Sequence, residues 1–82
     1  LPTSLHTDIG NQYSVYPNPA KNTCVIASNN RVLVEIYNGL GHLMKRVNVC
    51  SDAQVDISSF EAGVYFVVFR DTNPVVKKLV VN

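Results

Sequence analysis

The stretch Gly63-Val64-Tyr65-Phe66-Val67-Val68-Phe69-Arg70, followed by Asp71-Thr72-Asn73-Pro74 and by Val75-Val76-Lys77-Lys78-Leu79-Val80-Val81-Asn82, decides the fold class. β-Branched and aromatic residues fill both flanking runs, and a polar turn ending in Asn-Pro separates them, which is the pattern of a β-hairpin. Period-two alternation puts Tyr65, Val67 and Phe69 on one face and Val64, Phe66 and Val68 on the other. One face must be core. The second is then an apolar outer stripe, either covered by neighbouring side chains or the upstream arm, or left free for docking or for a homodimer. Chain ends fray unless something ties them down. A core strand at the last residue therefore makes the end of the polypeptide a candidate functional element.

Working upstream, turn signals recur every 8–12 residues, the spacing of an all-β sandwich. Residues 54–57 read as a short strand. Ser58 and Glu61 after it carry helix-start chemistry, with Ser58 as N-cap, but Gly63 leaves room for one turn at most. Residues 42–49 place Leu43, Val47 and Val49 in one phase, and Lys45 shares that phase, so either the inner face is interrupted there or a bulge lies near it. Asn38-Gly39-Leu40-Gly41 is turn chemistry, because Asn and Gly accept positive φ at low cost. Residues 31–37 alternate cleanly, with Val32, Val34 and Ile36 against Leu33, Glu35 and Tyr37. Residues 22–28 and 12–16 complete seven strands, and Pro17-Asn18-Pro19 stops the first, since neither proline donates to a ladder. The core list is Val32, Val34, Ile36, Val55, Ile57, Phe60, Tyr65, Val67 and Phe69. Residues 1–11 are polar and aperiodic and read as a linker or arm upstream of a domain over 12–82.

Eighty-two residues with 46% hydrophobic and 16% charged content make one small domain, not a disordered tail. The net charge of +1 creates no field that would call for nucleic acid or an anionic membrane. No apolar run approaches the roughly 20 residues of a membrane span, so membrane insertion is not expected. The chain starts without Met and without a charged and apolar leader, as expected of a piece of a longer protein. Cys24 and Cys50 both lie in strand-like runs and are readable as buried free thiols or as one bridge.

Catalytic and metal chemistry is not expected. His6 and His42 have no nucleophile, carboxylate or second ligand at motif spacing. Gly39-Leu40-Gly41 lacks the third glycine, following helix and Lys-Ser/Thr of a phosphate loop. Asp52 and Asp56 are too few for a calcium cage and read as turn capping. No cofactor is expected.

Four blocks resemble one family. Val15-Tyr16-Pro17-Asn18-Pro19-Ala20-Lys21-Asn22 resembles the opening Tyr-Pro-Asn-Pro motif of the type A C-terminal sorting domains of the type IX (Por) secretion system. Val34-Glu35-Ile36-Tyr37-Asn38-Gly39-Leu40-Gly41 resembles the middle strand and glycine turn. Val55-Asp56-Ile57-Ser58-Ser59-Phe60-Glu61-Ala62-Gly63-Val64-Tyr65 resembles the Asp-Leu-Ser and Leu-x-x-Gly-x-Tyr signature, with Ile57 and Phe60 in place of leucines. Val76-Lys77-Lys78-Leu79-Val80-Val81 resembles the terminal Lys-Lys-aliphatic strand. The blocks run in register over residues 13–82; Cys24 and Cys50 are outside the pattern.

The resemblance implies a seven-stranded, antiparallel, immunoglobulin-like Greek-key β-sandwich that labels a cargo protein for export. The cargo would cross the periplasm, pass the outer membrane through the type IX translocon, and reach the surface or medium. A sortase-like peptidase would remove the label within the arm. The recognition residues it implies are Tyr16, Pro17, Asn18, Pro19, Gly63, Tyr65, Lys77 and Lys78. Lys77 and Lys78 also read as gatekeepers that keep a terminal edge strand from pairing with other chains. The competing function is an adhesive or carbohydrate-binding immunoglobulin-like module, which the lack of Trp disfavours.

Overall fold

A computed structural model of the chain describes residues 13–82. The arm expected over 1–11, with His6, lies outside the described residues, as does Gln12. Seven strands form: β1 (Tyr13–Tyr16), β2 (Thr23–Ser28), β3 (Val32–Asn38), β4 (Leu43–Val49), β5 (Asp52–Asp56), β6 (Gly63–Arg70) and β7 (Val75–Val81). Every pairing between strands is antiparallel. One sheet has the order β1-β2-β5 and the other β4-β3-β6-β7, so the two non-consecutive pairings, β2 with β5 and β3 with β6, hold each sheet together. No described residue is helical.

One apolar core takes side chains from both sheets. Tyr13, Cys24, Ile26 and Val55 come from the first, and Val34, Ile36, Val67, Phe69, Leu79 and Val81 from the second. Eight of the nine expected core residues are buried; Phe60 is half-buried, packed against the cluster from the loop after β5. The alternation read from β3 and β6 is the alternation observed, because each strand has one face on the core and a one-residue slip would expose all of it. The β5 strand begins two residues earlier than its apolar pattern, at Asp52, because pairing with Ala27 extends the ladder past the apolar residues.

Of the two readings of Lys45 both hold: it keeps the core phase, and a bulge lies beside it. Ile36 pairs with Lys45 and Tyr37 pairs with Leu43, which leaves Met44 as the extra residue of a bulge. The register then builds one row across the inner face of the four-stranded sheet: Lys45, Ile36, Val67, Lys77. Ile36 and Val67 at its centre are fully buried, while the lysines at its two ends are half-buried. Both edges of the sheet thus carry a charge in the core phase, an arrangement that opposes continuation of a sheet into a neighbouring molecule. Lys45 reaches out of the core to donate from Nζ to the Asp56 carbonyl at 3.0 Å.

The cysteines divide. Cys24 is buried and Cys50 is exposed, and neither is bridged. Burial of Cys50 does not follow from its strand-like context, because β4 ends at Val49 and Cys50 falls in the turn to β5. Burial also pushes the Cys24 thiol above its ordinary pKa. Alkylation without reductant is expected to add one label to the folded chain, at Cys50, and a second only after unfolding. No label on the unfolded chain would show a bridge instead.

Candidate functional site

The Pro-Asn-Pro segment leaves β1 and crosses to the free edge of β7. Both of its prolines follow cis peptide bonds. The Asn18 carboxamide then takes the place of a strand: Nδ2 donates to the Lys78 carbonyl at 2.9 Å and Oδ1 accepts from the Val80 N–H at 2.9 Å. Ala20 continues the pairing through its backbone, donating to the Val80 carbonyl and accepting from the Asn82 N–H, both at 2.8 Å. This makes a parallel bridge between Ala20 and Val81, and Ala20 is buried by it. In an edge strand alternate residues turn their backbone groups outward. Here those residues are Val76, Lys78, Val80 and Asn82; the Lys78 carbonyl, both backbone groups of Val80 and the Asn82 N–H are satisfied. The first and last sequence blocks are therefore one physical unit. Tyr16, Pro17 and Pro19 stand exposed around it.

The third block is held by its tyrosine. The Tyr65 hydroxyl donates to the Glu61 carbonyl at 2.7 Å, and its ring stacks on Phe60 with centroids 4.9 Å apart. Phe60 is thus a lid over the ring. Asp56 rather than Ser58 does the capping in this loop: its Oδ1 accepts from the Ser58 N–H at 2.9 Å, and the Phe60 N–H closes a turn on the Ile57 carbonyl. Gly63 has φ +156°, with no atom within 4 Å of where a Cβ would stand. The requirement is conformational, not one of close approach. Gly63→Val is expected to cost more than about 1 kcal/mol through the backbone alone, measured by urea unfolding. A neutral result would make the residue merely permissive.

The second block ends in a turn organised by Asn38, whose Oδ1 accepts from the N–H groups of Leu40 and His42, each at 2.9 Å. Positive φ falls on Gly41, at +88°. Leu40 at its tip is 82% exposed.

These pieces share one end of the molecule. The register places Tyr16, Asn38, Leu43, Gly63 and Val81 at that end, and Tyr13, Val32, Val49 and Val75 at the other. At the Gly63 end an open groove of about 640 Å³ lies between the turn after β3 and the loop before β6, lined by Asn38, Leu40, Met44, Glu61, Gly63 and Val64 among others. The residue preceding the described fold attaches at the opposite, Tyr13 end. Tyr13 is fixed there by stacking on Phe69, with centroids 4.5 Å apart, and by donating its hydroxyl to Asp71.

Lys77 and Lys78 face opposite ways. Lys77 shares the core phase opposite Val67, and Lys78 stands on the outer face opposite Phe66. No single surface therefore presents both.

Sequence reasoning did not find the charged cluster on the outer face. Glu35 is only 6% exposed, accepting from Arg70 Nε at 2.6 Å, Tyr37 Oη at 3.0 Å and Arg46 Nε at 3.2 Å. These donors, Arg70 first and then Tyr37, hold its carboxyl below its ordinary value. Asp56 is lowered chiefly by the Ser58 backbone N–H, and Asp71 chiefly by the Tyr13 hydroxyl. A carboxyl with a depressed folded pKa stabilises the fold above its unfolded pKa, and that contribution is lost as pH falls through the folded value. Tyr13 is raised, chiefly by its bond to Asp71. Its contribution is complete below the unfolded pKa and is lost as pH rises. The urea midpoint is thus expected to be flat near neutrality, to fall below roughly pH 4.5, and to fall again above roughly pH 10. A midpoint that rises on acidification would contradict the assignments.

Among the described residues, no group of three or more His, Cys, Asp or Glu is placed to hold a metal ion. What the arrangement offers is a rigid surface: a sealed edge, a groove and a patterned sheet face. The family model for the secretion system C-terminal sorting domain matches residues 14–82. A search of curated proteins found no significant match. The chain belongs to the type IX secretion C-terminal sorting domains. Membership implies interaction with a secretion machinery and export across the outer membrane to the surface or medium.

Proposed function

We propose that residues 12–82 form the detachable label of a cargo protein, folded as an immunoglobulin-like Greek-key sandwich and read by protein–protein recognition with no catalysis of its own. Two features support the fold reading. The orders β1-β2-β5 and β4-β3-β6-β7 pair β3 with β6 and β2 with β5 across the chain. Tyr65, near the start of β6, ties back to the carbonyl four residues upstream, the tyrosine corner of such sandwiches. The observation that carries the functional reading is the convergence of the family's blocks on the Gly63 end, away from the attachment of the upstream chain. A cargo tethered at Tyr13 leaves that end free to meet the translocon after crossing the periplasm. Residues 1–11 then serve as the linker in which a sortase-like peptidase cuts.

On this reading Asn18, Tyr65 and Gly63 shape the surface, with Tyr16, Pro17 and Pro19 standing on it, and the groove beside Leu40 is what the translocon touches. Lys77 and Lys78 guard the edge strand. The test is export of a periplasmic reporter carrying this chain at its C-terminus. Leu40→Ser with Met44→Ser, both at exposed positions, is expected to keep the fold and reduce surface display by about tenfold, the loss of one or two apolar anchors. Lys77→Gln with Lys78→Gln is expected to fold and to be displayed like the parent. Undiminished display of the Leu40/Met44 variant, or loss of display in the folded lysine variant, would overturn this assignment of roles.

A further inference from the structure

We propose that the outer face of the four-stranded sheet is a second docking surface, one that takes an acidic, partly apolar segment of a partner protein. The register lays two rows side by side on this face: Leu43, Tyr37, Phe66, Lys78 and Arg46, Glu35, Val68, Val76. Arg70 flanks the second row through its bond to Glu35. Leu43, Phe66 and Val76 are each more than a third exposed, and the register joins them through Tyr37 and Val68.

The charge pattern selects the partner. Three cations stand on this face, Arg46, Arg70 and Lys78, against one carboxylate, and that carboxylate is buried and already engaged by three donors. Both arginines spend Nε on Glu35. Among the described residues, Arg46 makes no bond from its terminal nitrogens, and Arg70 makes one, from Nη2 to the Tyr37 hydroxyl at 3.3 Å. Anchoring through Nε fixes each guanidinium plane while leaving its outer donors to solvent, the arrangement that suits a carboxylate approaching in the plane. A second copy of this chain fits poorly, since face-to-face pairing sets cations against cations. An anionic lipid surface gains little from fixed guanidinium planes and would have only three charges to attract it. The proposal does not rest on the sorting function, and its test uses the purified chain alone.

The experiment is an NMR titration of the isotopically labelled 82-residue chain with a blocked peptide alternating Glu with Val and Tyr. Shifts are expected at Arg46, Arg70, Phe66, Val68 and Val76, and binding should weaken as salt rises through the screening range. Arg46→Gln should weaken binding by about tenfold while Arg70 and Tyr37 still satisfy Glu35. The triple variant Glu35→Gln, Arg46→Gln, Arg70→Gln, which leaves no buried charge unpaired, should abolish it. The proposal is overturned if the face does not respond, if the Lys counterpart of the peptide binds equally well, or if shifts map to β7's edge instead. It is equally overturned if vesicles containing anionic phospholipid bind where the peptide does not, or if sedimentation shows the face occupied by a second copy.

Discussion

Phe69→Ala is expected to lower the unfolding free energy by about 3–5 kcal/mol, the range for removing a fully buried ring. The ring is completely buried and lies between β3 and β7, paired with Val34 on one side and Val75 on the other. It also carries Tyr13, whose ring stacks on it and whose hydroxyl reaches Asp71. Removing it therefore unseats β1 as well as opening a cavity. A domain of this size has only about 0.05–0.15 kcal/mol of stability per residue, roughly 4–12 kcal/mol in all, so the loss is a large fraction of the whole. Urea denaturation followed by far-UV circular dichroism measures it. A loss below about 1 kcal/mol would mean that the two sheets do not share the core described here.

Asn18→Ala is expected to cost about 1–3 kcal/mol, the sum of two hydrogen bonds at roughly 0.5–1.5 kcal/mol each. The fold should survive, because Ala20 still pairs with β7 through its backbone. The more telling effect is on association. Losing the carboxamide frees the Lys78 carbonyl and the Val80 N–H on an edge that Asn18 otherwise seals. Light scattering should show concentration-dependent assembly in the variant and none in the parent. A variant as stable and as monodisperse as the parent would reduce Asn18 to a turn residue. Retained solubility with lost stability would confine its role to folding.

Much of this architecture is legible from local pattern. The turn chemistry of Asn38-Gly39-Leu40-Gly41, the alternation of Val32, Val34 and Ile36, and the apolar hairpin at the C-terminus each depend on a few consecutive residues. Lys45 in the core phase points either to an interrupted inner face or to a bulge, and the bulge falls at Met44. What could not be read depends on register between distant strands. Nothing within the segment Tyr16 to Pro19 says that Asn18 will bond Lys78 and Val80, sixty-odd positions away. Glu35 likewise looks like an ordinary outward residue until pairing brings Arg46 beside it and Arg70 over it. Ser58 was the obvious cap by composition, but Asp56 reaches the same turn from the end of β5. Cys50 looked like a core residue because its neighbours were strand-like, and one position past the end of β4 was enough to expose it.

The central functional claim is that this folded surface is an export label. It is tested by fusing the chain to the C-terminus of a periplasmic reporter and measuring surface display in two otherwise identical strains, one type IX-competent and one lacking the translocon. The account predicts display only in the strain with the translocon, and its loss when Phe69→Ala unfolds the label. Display that is equal in the two strains, or a correctly folded fusion that stays in the periplasm of both, would contradict it.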